Sequence, residues 1–151
     1  MRVLEQHRIS YVPHTYGDGT AALSGTEVAG ILGEDPFNVF KTLVTAGRSG
    51  QHYVFVIPVC CELDLKKAAA AVGEKNIEMI PSKELLPLTG YIHGGCSPIG
   101  MKKQFTTVVD ISAKDLPKMF FSGGRIGFQV EVAPADLAAV IPIRYADLTG
   151  V

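Results

Sequence analysis

An excess of charge of either sign is missing from this chain: 14 Lys and Arg stand against 15 Asp and Glu, a formal net charge of −1. That balance removes the broad positive field by which a protein grips nucleic acid nonspecifically, so any such contact has to be local. Long apolar runs are missing as well. The longest, Tyr53 to Cys61, is about half the ~20 residues of a spanning helix and contains Pro58, so no transmembrane segment is expected. The first eight residues alternate charged and apolar side chains and lack the apolar stretch of a signal peptide, which predicts a cytoplasmic protein.

Cysteine is scarce. Cys60 and Cys61 are adjacent and Cys96 stands alone, with no C-x-x-C pair and no even-numbered framework, so disulfides are not expected and the thiols read as small buried hydrophobes. His7, His14, His52 and His93 form neither H-E-x-x-H nor a Cys/His ligand spacing, so no metal is expected. No G-K-[ST] loop, no dinucleotide fingerprint and no local nucleophile–base pair is present.

What is there fits one compact domain over residues 1–151. At 47% hydrophobic and 19% charged residues, with no polar low-complexity tract, the composition excludes disorder and needs no disulfide or metal staple. Sixteen glycines and nine prolines, above the ~12% of an average chain, argue against long helical bundles. The patterns predict a short helix over 2–8, a strand over 9–16 ending in a turn at 17–20, and a helix opened by the Ser24-x-x-Glu27 capping box and closed by Gly33. A hairpin over 39–46 and 53–59 follows, then a helix capped by Asp64 and stopped at Gly73. A short strand over 77–80, a brief helix from Ser82 ending before Pro87, and an irregular segment over 93–100 come next. Strands are predicted over 106–110, 119–122 and 125–132, a capping box at Ser112–Asp115, and a last helix opened by Pro134 and closed by Pro142. Interleaved without a regular βαβ period, these elements predict an α+β domain around a mixed, mostly antiparallel sheet.

Two glycine-rich loops can carry chemistry, Gly94-Gly95-Cys96-Ser97-Pro98-Ile99-Gly100 and Ser122-Gly123-Gly124-Arg125-Ile126-Gly127. Their backbone N–H groups can converge on an oxygen, although on pattern alone plain tight turns are the commoner reading. Lys41 interrupts the apolar strand Phe40-Lys41-Thr42-Leu43-Val44, where a lysine faces either solvent, the commoner case, or a polar pocket.

Taken in order, His14-Thr15-Tyr16, Phe40-Lys41-Thr42-Leu43, Leu63-Asp64-Leu65-Lys66-Lys67, Thr89-Gly90-Tyr91, the first glycine loop with Lys102-Lys103, and Ser122-Gly123-Gly124-Arg125 resemble the YbaK family of free-standing aminoacyl-tRNA deacylases. That family is related to the editing domain of bacterial prolyl-tRNA synthetases, and the resemblance covers essentially the whole chain. It implies a curved or barrel-like sheet flanked by helices, and removal of a wrongly attached amino acid from tRNA without metal or cofactor. Cysteinyl-tRNA(Pro) is the usual substrate, attacked by its own thiol, with tRNA(Cys) as a further carrier and prolyl-tRNA synthetase as a partner. Alanyl-tRNA(Pro), or a non-catalytic binding role, are the alternatives. By motif match Tyr16, Lys41, Gly94 and Ser122 fall in the family's pocket. On that resemblance Lys41, Gly94 and Gly95 are the expected catalytic groups, and Tyr16, Phe40, Ser97, Ser122, Gly123 and Gln129 the expected substrate-binding ones. Gln129 stands where family members can carry Asp, which bears on amino-acid selectivity. Lys66, Lys67, Lys102, Lys103 and Arg125 are the nearest approach to a tRNA-contacting basic patch, although lysine pairs commonly mark a solvated face.

Overall fold

The computed structural model describes residues 2–17 and 23–150; Asp18, Gly19 and Thr20 of the predicted first turn lie outside them. Helix α1 (Arg2–Gln6) ends in a turn where Arg8, at φ 57°, lets Ile9 N–H reach Leu4 O, so strand β1 (Val12–Thr15) begins later than the alternation predicts. Helix α2 (Gly25–Leu32) has its capping box: Ser24 Oγ accepts from Glu27 N–H and Glu27 Oε1 accepts from Ser24 N–H, each at 3.2 Å. The hairpin follows as β2 (Phe40–Gly47) and β3 (His52–Pro58), then β4 (Glu62–Leu63) and α3 (Leu65–Val72), where Asp64 accepts from the N–H groups of Lys66 and Lys67. Next come β5 (Ile77–Met79), α4 (Ser82–Thr89) and β6 (Thr106–Asp110). The chain ends with β7 (Met119–Ser122), β8 (Phe128–Val132), α5 (Pro134–Val140), β9 (Ile143–Ala146) and β10 (Thr149–Gly150).

Helix α4 runs through Pro87 instead of stopping before it. The last turn is held by Gly90 N–H on Leu86 O and by the Thr89 hydroxyl on Leu85 O at 2.7 Å, which offsets the missing Pro87 donor. The Ser112–Asp115 box does not form. Asp110, buried at the end of β6, takes the capping position and accepts from Ser112 N–H and Leu148 N–H, leaving one 3₁₀ turn at Ile111–Ala113. Residues 125–127 belong to a turn and β8 starts only at Phe128, while β9 and β10 were not foreseen.

Five strands form a mixed sheet in the order β5-β2-β3-β6-β9, antiparallel from β5 to β3 and parallel from β3 to β9. An antiparallel sheet β1-β8-β7 and the two-residue pair β10-β4 complete the pairing. The expected barrel is not formed. β5 and β9 remain separate edges, and among the described residues the small sheet joins the large one through one isolated parallel bridge, Val39 to Phe120.

Central strand β3 explains the unbroken apolar run, because both its faces are covered. Val54 and Val56 pack with Phe40 and Val44 against Met119, Phe121, Val130 and Val132 of the small sheet and Leu137 of α5. Tyr53, Phe55 and Ile57 face Ala68 and Ala69 of α3, whose small side chains let the helix lie close. Among the described residues no helix is long and apolar enough to cross a membrane.

Candidate active site

Where the two sheets meet, Phe120 N–H donates to Asn38 O beside the Val39–Phe120 bridge. On its outer edge β2 gains its next partner, β5, only from Thr45 onward, with Ile80 N–H reaching Val44 O just before it, so the edge of residues 40–43 is not paired by β5. There a cavity of about 270 Å³ forms, lined by Tyr16, Phe40, Lys41, Thr42, His93, Gly94, Cys96, Ser122 and Gln129, with Val28, Val39, Val59 and Leu85 among its apolar wall.

Strand alternation brings Ser122 and Gln129 to it. They are direct cross-strand partners of β7 and β8, so their side chains share one face while Phe121 and Val130 point into the core. His14 occupies the same row on β1, but its Nε2 lies 2.9 Å from Glu131 Oε1 and it is not part of the lining. Tyr16, nearly buried, is held at its N–H by Gly127 O at 2.9 Å.

Lys41 is half-buried in this wall, not on an open solvent face, and among the described residues it makes no hydrogen bond or ion pair. Its neighbour Thr42 was not singled out by the sequence. Thr42 Oγ1 and Gln129 Oε1 are the two buried side-chain polar atoms with no partner among the described residues, and both belong to residues of this cavity. Leaving such atoms unmet costs roughly 1–3 kcal/mol each. A cavity whose lining residues carry two unmet polar atoms and include a lysine with no partner among the described residues suits a polar ligand.

The first glycine loop is held from outside and within. Tyr91 O–H donates to Ile99 O at 2.5 Å, Tyr91 N–H donates to Thr89 Oγ1, and Lys102 N–H donates to Thr89 O. Ser97 Oγ accepts from Ile99 N–H at 3.2 Å, and Gly95 N–H donates to Ile92 O at 3.0 Å. Gly95, Ser97 and Gly123 therefore do not line the cavity: Ser97 is fully buried inside its own turn, and Gly123 N–H is bonded to Phe128 O. Gly94, at φ 87°, does line it, and the N–H groups of Gly94 and Cys96 meet no acceptor among the described residues. Of the expected pair, Gly95 N–H is thus engaged by Ile92 O, and the unbonded N–H groups of this loop that belong to cavity residues are those of Gly94 and Cys96 among the described residues.

Residues 21–140 match the model of the aminoacyl-tRNA editing domain. The chain belongs to this family. A relative from Enterococcus faecalis, named as a candidate Cys-tRNA(Pro)/Cys-tRNA(Cys) deacylase, EbsC, is 43% identical over 149 residues, 99% of this chain and 91% of its own. A proline–tRNA ligase of Pelobacter propionicus is 28% identical over 90 residues, 60% of this chain but only 16% of that enzyme. A solved structure described as a candidate trans-editing enzyme for prolyl tRNA synthetase superposes with TM-score 0.84 at 25% identity, over 99% of this chain and 94% of the other.

In this editing domain Cys96 is buried, and burial pushes its thiol up to about 12, opposite to the lowering that converging N–H groups would bring. It is a thiol, not a thiolate, at neutral pH. Cys96→Ser is expected to keep most of the activity while lowering the melting temperature by the equivalent of about 1–2 kcal/mol, the cost of a buried hydroxyl. An acyl adduct trapped on Cys96 by mass spectrometry is the result that contradicts this.

The five basic residues do not make one patch. Lys66 and Lys67 belong to α3, which packs on the Phe55–Ile57 face, whereas Cys96, Ile99 and Met101 of the loop before Lys102 pack on the Val54–Val56 face. Lys67 is also engaged at home: its Nζ meets Asp147 Oδ2 at 2.9 Å and Thr149 O at 2.8 Å, and the Asp147 bond raises its pKa. Lys102, Lys103 and Arg125 are exposed, with Lys103 Nζ 5.9 Å from the Phe105 ring and the Arg125 guanidinium 4.5 Å from the Phe128 ring.

Proposed function

We propose that this editing domain, acting as one unit over residues 1–151 in the cytoplasm, releases cysteine wrongly attached to tRNA(Pro), and also takes cysteinyl-tRNA(Cys). The observation that carries the reading is the cavity itself: among the described residues it is lined by a lysine without a partner, two residues with unmet polar atoms and two with unbonded N–H groups, and its one cysteine is a buried thiol with its pKa raised. At about 270 Å³ it lies just below the ~300–1,000 Å³ range of ligand pockets, which suits a small aminoacyl group on its terminal ribose.

An aminoacyl ester is already activated, so positioning and oxyanion stabilisation can supply most of the catalysis. The substrate's thiol sulfur bonds to its own ester carbonyl carbon, and the developing oxyanion is met by the N–H groups of Gly94 and Cys96. The carbon–oxygen ester bond then breaks, the ribose oxygen takes up a proton, the thiol proton leaves, and a cyclic thiolactone departs to be opened by water. Gln129 Oε1 and Thr42 Oγ1 accept from the α-ammonium. Because Gln is neutral, this hold lacks the charge assistance an Asp would add. Lys41 serves the ribose or terminal phosphate oxygens, since it would repel the ammonium. Tyr16, Phe40 and Ser122 shape the cavity around the ribose, while Gly95, Ser97 and Gly123 act by holding the loops.

The test is release of labelled amino acid from cysteinyl-tRNA(Pro), cysteinyl-tRNA(Cys) and alanyl-tRNA(Pro). The expected result is fast and comparable release from both cysteinyl substrates, biased toward tRNA(Pro) when prolyl-tRNA synthetase is added. Preferred release of alanine would move the substrate class, and release from none would make this a binding module. For the tRNA body, Arg125→Ala and Lys102→Ala should each reduce the slope of log K against log salt by about one phosphate contact, with Lys67→Ala leaving it unchanged. Equal effects from all three would restore α3 to the tRNA surface.

A further inference from the structure

The adjacent cysteines, expected from the sequence to be inert, occupy a place where their state matters. Cys60 is exposed and Cys61 half-buried; both are free thiols with Sγ atoms 3.9 Å apart. They sit in the turn that ends β3, where Cys61 N–H donates to Pro58 O at 3.0 Å. One residue before the pair, Val59 N–H donates to Val39 O at 2.8 Å, and the Val59 side chain forms part of the cavity wall. Val59 is packed tightly on the start of α2: a Cβ added at Gly25 would lie 2.5 Å from its Cβ. Beyond the pair, Glu62 and Leu63 are anchored by pairing with Gly150 and Thr149. Lys41 lies within electrostatic range of the Cys61 thiol. The turn is thus tied on both sides, and on one side the tie is the cavity wall.

We propose that Cys60 and Cys61 are a reversible thiol–disulfide site whose closure distorts the cavity and slows turnover. The oxidant is a low-molecular-weight disulfide. The exposed Cys60 thiolate attacks one of its sulfurs and releases a thiolate, leaving a mixed disulfide. Cys61 then attacks Cys60 Sγ, loses its proton and releases the second thiol. The pair gives up two electrons and two protons, and the low-molecular-weight disulfide becomes two thiols. Adjacent Cα atoms are held ~3.8 Å apart by the intervening peptide, short of the ~4.4–6.8 Å span of ordinary disulfides. Such a bond is readily reduced, which suits reversible control and not a permanent staple. Drawing the sulfurs together contracts the turn and pulls on Val59.

The bond itself does not depend on the deacylase reading; its effect on turnover does. The test uses the full chain, reduced or treated with oxidised glutathione and then desalted. In the oxidised wild type we expect a loss of about 2 Da with a cross-linked Cys60–Cys61 peptide, faster hydrogen exchange at the Val59 amide, and cysteinyl-tRNA deacylation slower by about tenfold or more. Dithiothreitol should reverse all three, and Cys60→Ser and Cys61→Ser should keep their reduced-state rate after the same treatment. Absence of the cross-link, or a cross-link that changes neither Val59 exchange nor rate, overturns the proposal. So does an oxidative loss of activity that persists in both serine variants, which would assign it to Cys96. If the reduced protein releases no cysteine from tRNA, the deacylase reading fails, and Val59 exchange alone decides whether the pair controls the cavity.

Discussion

Lys41→Ala is expected to lower kcat/KM for release of cysteine from tRNA by about 10²–10³-fold, the scale of losing one preorganised electrostatic contact, while melting stays within about 0.5 kcal/mol of wild type. The separation of the two effects follows from the geometry. Lys41 faces Ile57 across the β2–β3 ladder, where the strand pairing is made by the backbone and survives a smaller side chain. Its ammonium has no partner among the described residues, so removing it strands no buried counter-charge in them. What is lost is the cation of the cavity wall, and Lys41→Arg should restore little, because a planar fork does not replace a compact ammonium on a flexible stem. Deacylation kinetics alongside thermal melting check this. Unimpaired turnover in Lys41→Ala would remove the residue from the chemistry.

The second large effect is expected at a residue that does not touch the cavity. A Cβ at Gly95 would stand 3.0 Å from Arg125 C, Arg125 Cα and Ile126 N, all backbone atoms of the second glycine loop. Backbone cannot swing aside as a side chain does, so Gly95→Ala has to push the two loops apart. Overpacking of this kind costs about 1–3 kcal/mol. The same displacement, a few tenths of an ångström, moves Gly94 and Cys96, which flank Gly95 and whose N–H groups meet no acceptor among the described residues; since a shift near 1 Å is worth about 10²-fold in rate, a several-fold fall is expected. The expected outcome is a lower melting temperature together with a fall in kcat at nearly unchanged KM. Wild-type kinetics in a protein that melts normally would show that the loops do not need this contact.

Local structure was largely legible in the sequence because its determinants are local. The Ser24–Glu27 box, the Asp64 cap and the hairpin of β2 and β3 each depend on residues within a few positions of one another, and all three form. The misread segments have distant causes. Pro87 stays inside α4 because Thr89 and Gly90 hold its last turn, and the Ser112 box loses to Asp110, whose carboxylate also takes the N–H of Leu148 from 38 residues away. β9 reads weakly as a strand because what makes it one is parallel pairing with β6.

The same division runs through the site. By itself the sequence determined which residue types are available: a lysine set in an apolar strand, two glycine loops, no metal-ligand spacing, and an ordered set of motifs that points to one family. Only the tertiary structure decided which of them meet. Strand alternation is readable, but which face of β7 and β8 meets the open edge of β2 depends on the Val39–Phe120 bridge, and that bridge turns Ser122 and Gln129 toward the cavity that residues of β2, Lys41 and Thr42 among them, also line. Hydrogen bonding in the folded loops engages Gly95 N–H and Ser97 Oγ and leaves the N–H groups of Gly94 and Cys96 without an acceptor among the described residues, and the packing of α3 on the far face splits the lysine pairs. Periodicity fixes the direction of a side chain relative to its own element; the docking of one element on another fixes what that side chain finds there.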